Sequence, residues 1–298
     1  MLNTCACEYP LPALDQMGNV SEQTKLSCLL TQAPLKPFLK WPGGKRWLIH
    51  KGKSLLPTKI SGRYVEPFLG GGSIFFYLRP AMALLSDINI DLINTYSGVK
   101  TDFSRVSGIL SLHQTNHSKD YYYKIRSEDF KDLFLISARF IYLNRTCFNG
   151  IYRVNRNGKF NVPLGNKKSV LLPDDNWEAW SSALQSAQLL AIDFESVIDQ
   201  TEKGDFLFVD PPYTIHHNNN GYIQYNEVLF SWEDQLRLAD ALHRARKRRV
   251  KILMTNANHD CIHGLYKSPF KKLTMARFSS VSAKSKGRNS FEELIVTA

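Results

Sequence analysis

Tyr64-Val65-Glu66-Pro67-Phe68-Leu69-Gly70-Gly71-Gly72-Ser73 runs from an apolar, strand-forming segment through a triple glycine into the start of a helical pattern. Glycine tolerates left-handed backbone and lets a ligand approach the main chain closely. Strand, glycine loop and helix start form the repeating unit of a doubly wound α/β sheet. In such sheets the ligand lies over the C-terminal ends of the strands, and an acidic residue ending the next strand takes the ribose hydroxyls. Asp87, which closes the apolar run from Ala83, stands in that position. The spacing is not Gly-x-Gly-x-x-Gly, which disfavours a dinucleotide, and a triple glycine alone is often only a turn.

The same rhythm extends along the chain. Arg63 to Phe68, Ala83 to Asp87, Leu189 to Phe194, Phe206 to Asp210 and Val250 to Thr255 read as strands separated by helical patterns, which is the signature of an α/β sheet with crossover helices. A helix is expected after Ser231, where Ser231 and Asp234 offer a capping box and Leu236, Leu238, Ala239 and Leu242 an apolar face. Between 103 and 186 the rhythm breaks. Helical segments at Phe103 to Leu112 and Leu133 to Leu143 precede a hairpin expected to turn at Asn157-Gly158, between Ile151-Tyr152-Arg153-Val154 and Lys159-Phe160-Asn161-Val162. The expected organisation is a loosely ordered extension at 1–34, a sheet domain made of 35–102 and 187–298, and an inserted domain at 103–186.

Phe208-Val209-Asp210-Pro211-Pro212-Tyr213 closes one of these strands with a carboxylate, two prolines and an aromatic ring. Proline fixes its own φ, donates no N–H and restricts the residue before it, so the carbonyls from Asp210 to Tyr213 have little freedom. Together with the Asp210 carboxylate they suit the two hydrogens of a planar amino group, with Tyr213 stacking on the heterocycle that carries it. The plainer alternative is a strand that ends in a turn.

The chain has 298 residues, 43% of them hydrophobic, and can bury one large core or a core with a smaller lobe. No apolar run approaches the roughly 18 residues that cross a bilayer, and the first thirty residues do not form a signal h-region, so the expected location is the cytoplasm, with no membrane partner. Five scattered cysteines and eight histidines without ligand spacing, beyond the adjacent His216 and His217, predict no metal. A formal net charge of +11 points to a polyanion, most simply nucleic acid. The charge concentrates at Arg244, Arg246, Lys247, Arg248, Arg249 and Lys251, and again at Lys267, Lys271, Lys272, Lys284, Lys286 and Arg288. The first run serves equally as a complement to a helix C-terminal dipole and as a phosphate contact.

Another glycine turn, Phe38-Leu39-Lys40-Trp41-Pro42-Gly43-Gly44-Lys45-Arg46, precedes the first strand. The order Trp-Pro-Gly-Gly-Lys, Glu-Pro-Phe-Leu-Gly-Gly-Gly-Ser, Asp-Pro-Pro-Tyr, from about Pro37 to the C-terminus, resembles the Dam-type, or D12-class, DNA adenine-N6 methyltransferases. The inserted segment shares the resemblance: Asn144-Arg145-Thr146-Cys147-Phe148-Asn149-Gly150-Ile151-Tyr152-Arg153 followed by Gly158-Lys159-Phe160-Asn161-Val162-Pro163 is similar to that family's target-recognition hairpin. The resemblance implies a Rossmann-like S-adenosylmethionine-dependent methyltransferase sheet carrying an inserted, mainly helical target-recognition domain with a β-hairpin. It implies that Asp210, Pro211, Pro212 and Tyr213 are catalytic. Trp41, Lys45, Glu66, Phe68, Gly70, Gly72, Asp87, Asp193, Phe194 and Asp210 would line the S-adenosylmethionine site, with Asp193 and Phe194 beside the cofactor's adenine. Arg145, Phe148, Asn149, Ile151, Arg153, Asn155 and Pro163 would contact DNA, with Arg153 reading a guanine and Phe148 filling the gap left by an extruded base. Pro42 stands where many relatives carry alanine, and Phe148 where tyrosine is common.

The expected activity is methyl transfer from S-adenosylmethionine to the adenine amino group of double-stranded DNA, within GATC and with base flipping, by a monomer. Such enzymes act in restriction-modification or in methylation linked to DNA replication. Two rivals accompany it: methylation of an RNA base or a protein glutamine, and a DNA-binding homologue with an inert site.

Overall fold

The computed structural model describes residues 34–155, 158–214, 230–278 and 290–298, and of these 36–298 belong to one compact unit. Of the expectations above, the extension up to 33, Asn157 of the hairpin turn, His216 and His217, and Lys284, Lys286 and Arg288 lie outside the described residues.

Seven strands form one sheet: β1 (Tyr64–Glu66), β2 (Ala83–Ser86), β3 (Ala187–Leu190), β4 (Phe206–Val209), β5 (Lys251–Ala257), β6 (Lys271–Phe278) and β7 (Ser290–Thr297). Their order is β3-β2-β1-β4-β5-β7-β6. The first five are parallel, and β7 inserts antiparallel between β5 and β6. The chain therefore winds outward from β1 through β2 to β3, then returns to the other side of β1 as β4. That reversal opens a crevice above the C-terminal ends of β1 and β4, where ligands of such sheets bind. Because β7 runs against its neighbours, its early residues reach the same rim: Glu293 lies opposite Ala257 at the end of β5.

The helices among the described residues are α1 (Arg46–Lys51), α2 (Ser73–Leu78), α3 (Ile90–Asn116), α4 (Lys119–Ser127), α5 (Leu133–Thr146), α6 (Trp177–Gln185), α7 (Phe194–Asp199), α8 (Trp232–Lys247) and α9 (Asp260–Leu265). Polar caps set their starts. Asn89 Oδ1 accepts the N–H groups of Asp91 and Leu92, Asp132 Oδ1 those of Phe134 and Leu135, and Ser231 and Asp234 form the reciprocal capping box that their spacing predicts. On α8, Leu238, Ala239 and Leu242 are buried against Val209, Ile252 and Met254 of the sheet, each such side chain contributing about 1.5–3 kcal/mol where it is a large aliphatic. Leu236, expected on that face, is 42% exposed.

Two boundaries differ from the sequence reading. The strand expected at Leu189 to Phe194 ends at Leu190, because the Asp193 carboxylate accepts the Glu195 N–H at 3.0 Å and starts α7 at Phe194. The helix expected from Phe103 begins at Ile90 and runs through a kink at Asp102, whose φ of −154° and ψ of 85° interrupt it while its carboxylate caps the Arg105 N–H at 3.0 Å. The hairpin is held by isolated bridges, Cys147 with Leu164 and Val154 with Phe160, supported by Asn161 N–H to the Arg153 carbonyl at 3.2 Å.

α3 and α5 cross closely at Gly98, where a Cβ would run into the Ser137 hydroxymethyl group, itself held by the carbonyls of Asn94 and Leu133. Gly98→Ala should cost about 1–3 kcal/mol in urea denaturation through overpacking. Gly108→Ala, further along the same helix with open space around it, should be neutral or stabilising by up to about 1 kcal/mol.

Candidate active site

Phe206–Val209 is buried along its whole length, and the two prolines prevent β4 from continuing, so Asp210 emerges at the rim of the crevice. Its Oδ1 accepts from the Thr255 hydroxyl of β5 at 2.8 Å and from the Lys45 ammonium at 2.7 Å. Lys45, at the N-cap of α1, is only 3% exposed, and Nζ also donates to the Gly43 carbonyl at 2.8 Å. Glu293 Oε2 of β7 lies 3.7 Å from Nζ and accepts the Tyr213 hydroxyl at 2.8 Å. The ammonium also stands 4.9 Å from the centre of the Tyr213 ring. Burial, with the Asp210 and Glu293 carboxylates beside it, holds the Tyr213 phenol well above its ordinary pKa, so it remains a donor. One buried cation thus faces two carboxylates and an aromatic ring, the whole cluster drawn from three separate parts of the chain.

The glycine loop forms the neighbouring wall. Gly70 and Gly72 have φ of +47° and +62°, a left-handed backbone that disfavours side chains. The Gly70 N–H donates to Asp87 Oδ2 and the Asn89 N–H to Asp87 Oδ1, both at 3.0 Å, which pins the β2 carboxylate against the loop. A Cβ at Gly70 would approach Trp41 Cδ1 to 2.7 Å, so the loop also needs glycine to receive the tryptophan. Beneath it, Glu66 is buried and accepts the Tyr64 hydroxyl at 2.8 Å; burial raises its pKa well above the carboxylate range, against the lowering effect of that bond, and Asp210 and Asp87 push it the same way. Phe68 and Phe194 stack at 5.2 Å, the Arg237 guanidinium covers Phe194 at 4.8 Å, and Arg237 Nη2 reaches Asp193 Oδ1 at 2.7 Å.

The residues expected to touch a polyanion divide. Phe148 is 49% exposed at the tip of a tight turn in which Asn149 has φ of +55°, and Arg153, Asn155 and Pro163 are exposed. Ile151 is half-buried, and Arg153 Nε donates to Asn161 Oδ1 at 3.0 Å. Arg145 is instead buried. Its guanidinium grips Asp175 through two bonds of 2.6 and 2.8 Å and donates to the Val170 carbonyl at 2.8 Å. The basic run on α8 is also partly committed: Arg244 pairs with Glu195 and Asp199, and Arg248 donates to the carbonyls of Ile198 and Thr201.

Several contacts here were not expected. Thr255 ends a strand read from its apolar run alone, Glu293 lies in β7, which the sequence reading did not include, and Asn144, quoted only as the first residue of the hairpin motif, bonds the Lys40 N–H at 2.9 Å and the Lys40 carbonyl at 2.8 Å from inside a helix. For Glu293 the available signal was a carboxylate at a position of β7 that faces inward, next to Leu294.

A β3-β2-β1-β4-β5-β7-β6 sheet with an Asp-Pro-Pro-Tyr loop at its switch point defines the methyltransferase class of α/β protein. Within that class, residues 41–282 match the family model described as D12 class N6 adenine-specific DNA methyltransferase. The chain belongs to that family and is an adenine-specific DNA methyltransferase. The type II methyltransferase M1.LlaDCHI of Lactococcus lactis subsp. cremoris is 36% identical over 274 residues, spanning 88% of this chain and 95% of its own length. The DNA adenine methylase of Vibrio cholerae is 31% identical over 87% of this chain and 95% of its own length. The DNA N-6-adenine-methyltransferase of Escherichia phage P1 is 34% identical over 84% of this chain, which corresponds to 33% of that longer protein.

Arg145→Ala should destabilise the protein by about 3–5 kcal/mol, since it strands the buried Asp175 carboxylate. Chemical denaturation measures this. A variant of parental stability that binds DNA more weakly would return Arg145 to the DNA surface.

Proposed function

We propose that this chain transfers the methyl group of S-adenosylmethionine to N6 of adenine in double-stranded DNA, within GATC, after the base has left the helix. The observation that carries the reading is the Asp210-Pro211-Pro212-Tyr213 loop at the switch point, its carboxylate fixed by Thr255 and Lys45. The residues around the glycine loop fit the cofactor chemically. Left-handed Gly70 and Gly72 offer backbone without side chains, Asp87 is an acceptor for a ribose diol, and Phe68 and Phe194 are rings for a purine, with Asp193 beside them. Trp41, Lys45 and Glu66 complete that wall. When bound, S-adenosylmethionine would supply the activated methyl group, the part of the chemistry no side chain provides.

The rest falls to the chain. The amino nitrogen of adenine is a poor nucleophile because its lone pair is delocalised into the ring. Asp210 and the Pro211 carbonyl would accept its two hydrogens, favouring a tetrahedral nitrogen, and their fixed negative charge would stabilise the positive charge that grows there. Tyr213 would stack on the extruded base and offset part of the few kcal/mol that extrusion costs. Residues 103–186 would be the target-recognition domain, with Phe148 filling the vacated space. Asn149, Ile151, Asn155 and Pro163 would shape the contact, and Arg153 would donate to guanine O6 and N7.

Incubation with S-adenosylmethionine labelled in the methyl group, on duplexes with and without GATC, should label only the former. Asp210→Ala should remove transfer while leaving DNA affinity within a few-fold, because the lost interaction acts on the transition state. A parent protein that binds DNA without transferring label would instead be an inert homologue, and label appearing on RNA or protein would redirect the substrate.

Arg153→Ala should relax discrimination at one guanine by about 1–3 kcal/mol and change the salt dependence of binding little. Methylation mapped on random-sequence DNA decides between this and a phosphate contact, which would weaken every sequence alike.

A further inference from the structure

Glu293 has no place in the motifs that define the family reading, yet it is 1% exposed and directed at the catalytic loop. A carboxylate is buried at considerable cost unless its partners compensate it. Two partners of Oε2 belong to the site: the Tyr213 hydroxyl at 2.8 Å and the Lys45 ammonium at 3.7 Å. Lys45 in turn holds Asp210 Oδ1 at 2.7 Å. That pairing conflicts with the proposed role of Asp210: the ammonium, bound at Oδ1 beside the Thr255 hydroxyl, neutralises the charge that should stabilise the developing cation on nitrogen.

We propose that Glu293 is the positioning residue that resolves this conflict: it receives the Lys45 ammonium when a substrate amino group takes Asp210, and it anchors Tyr213 at the same time. Lys45 keeps its bond to the Gly43 carbonyl as a pivot, so a small swing of Nζ exchanges one carboxylate for the other. No charge leaves the site and no ammonium is stranded. Asp210 recovers its full negative charge at the moment the amino group docks. The inference rests on the proposed role of Asp210 in methylating adenine.

Two measurements test it on the full-length protein. The first compares the parent and Glu293→Gln, which preserves side-chain volume and hydrogen-bonding capacity while removing the charge. Single-turnover methylation of a GATC duplex at saturating S-adenosylmethionine should slow by about tenfold to a hundredfold, while KM for DNA and the cofactor's dissociation constant stay within about threefold. A variant that transfers at the parental rate, or one that loses only in KM, overturns the inference. The second does not depend on the variant folding: in a crystal structure of the parent with a GATC duplex and S-adenosylhomocysteine, Lys45 Nζ should lie closer to Glu293 than to Asp210. Nζ still paired with Asp210 in that complex overturns the exchange. Failure of the functional reading looks different, since the parent itself would then leave DNA unlabelled.

Discussion

The buried Lys45 ammonium imposes the constraint on which the site depends. A lysine at 3% exposure needs acceptors on every side. Here they come from the turn at Gly43, from the end of β4 and from β7. Meeting that need brings three distant segments to one rim of the sheet. The antiparallel course of β7 is part of the solution, since a parallel strand would carry its early residues to the opposite edge. The strand order that makes the crevice also delivers the second carboxylate to it.

The same turn that carries Lys45 ties the crevice to the hairpin. The backbone of Lys40 is clamped by the Asn144 amide, its ammonium donates to the Asn149 carbonyl at 2.9 Å, and Gly150, left-handed at φ +63°, lies so close that a Cβ there would meet the Lys40 stem at 2.5 Å. One residue on, Trp41 lies against Gly70 on one side and stacks on Tyr152 of the hairpin at 5.4 Å on another. The interval from Lys40 to Lys45 therefore touches the glycine loop, the Asp-Pro-Pro-Tyr loop and the hairpin. Movement of any of these must be absorbed by close-packed aromatic and hydrogen-bonded contacts, which resist continuous deformation.

How far the sequence discloses this molecule follows from the range of the forces involved. Local determinants were legible: prolines that stop β4, glycines that allow left-handed turns, and the Ser231 and Asp234 capping box depend only on near neighbours. Phe194 was misread as strand because an apolar run continues across Asp193, and only the cap reveals the change of element. The contacts of Glu293 and Asn144 were invisible for a different reason. Their partners are remote in the chain, and a glutamate in a strand or an asparagine in a helix has no pattern that announces a buried contact. Arg145 shows the converse, since a motif read by resemblance gave it an outward role while the carboxylate of Asp175 holds it inside.

Net charge illustrates the same limit. The count of +11 points to a polyanionic partner but does not say which cations face it. Arg244, Arg248, Arg237 and Arg145 are engaged with carboxylates or carbonyls of the fold, and such partnered cations displace few counterions from DNA. Around the hairpin, Lys159, Lys167 and Lys168 are exposed, and Lys167 acts with burial to lower the pKa of Lys40. Exposed lysines thus accompany Phe148 and Arg153 at the hairpin, and a second exposed set, Lys247, Arg249, Lys251, Lys267, Lys271 and Lys272, lies at and beyond the C-terminal end of α8. What a residue count reports as one quantity is, in the folded chain, two populations: cations that hold acidic groups inside the structure and cations left to meet a phosphate backbone.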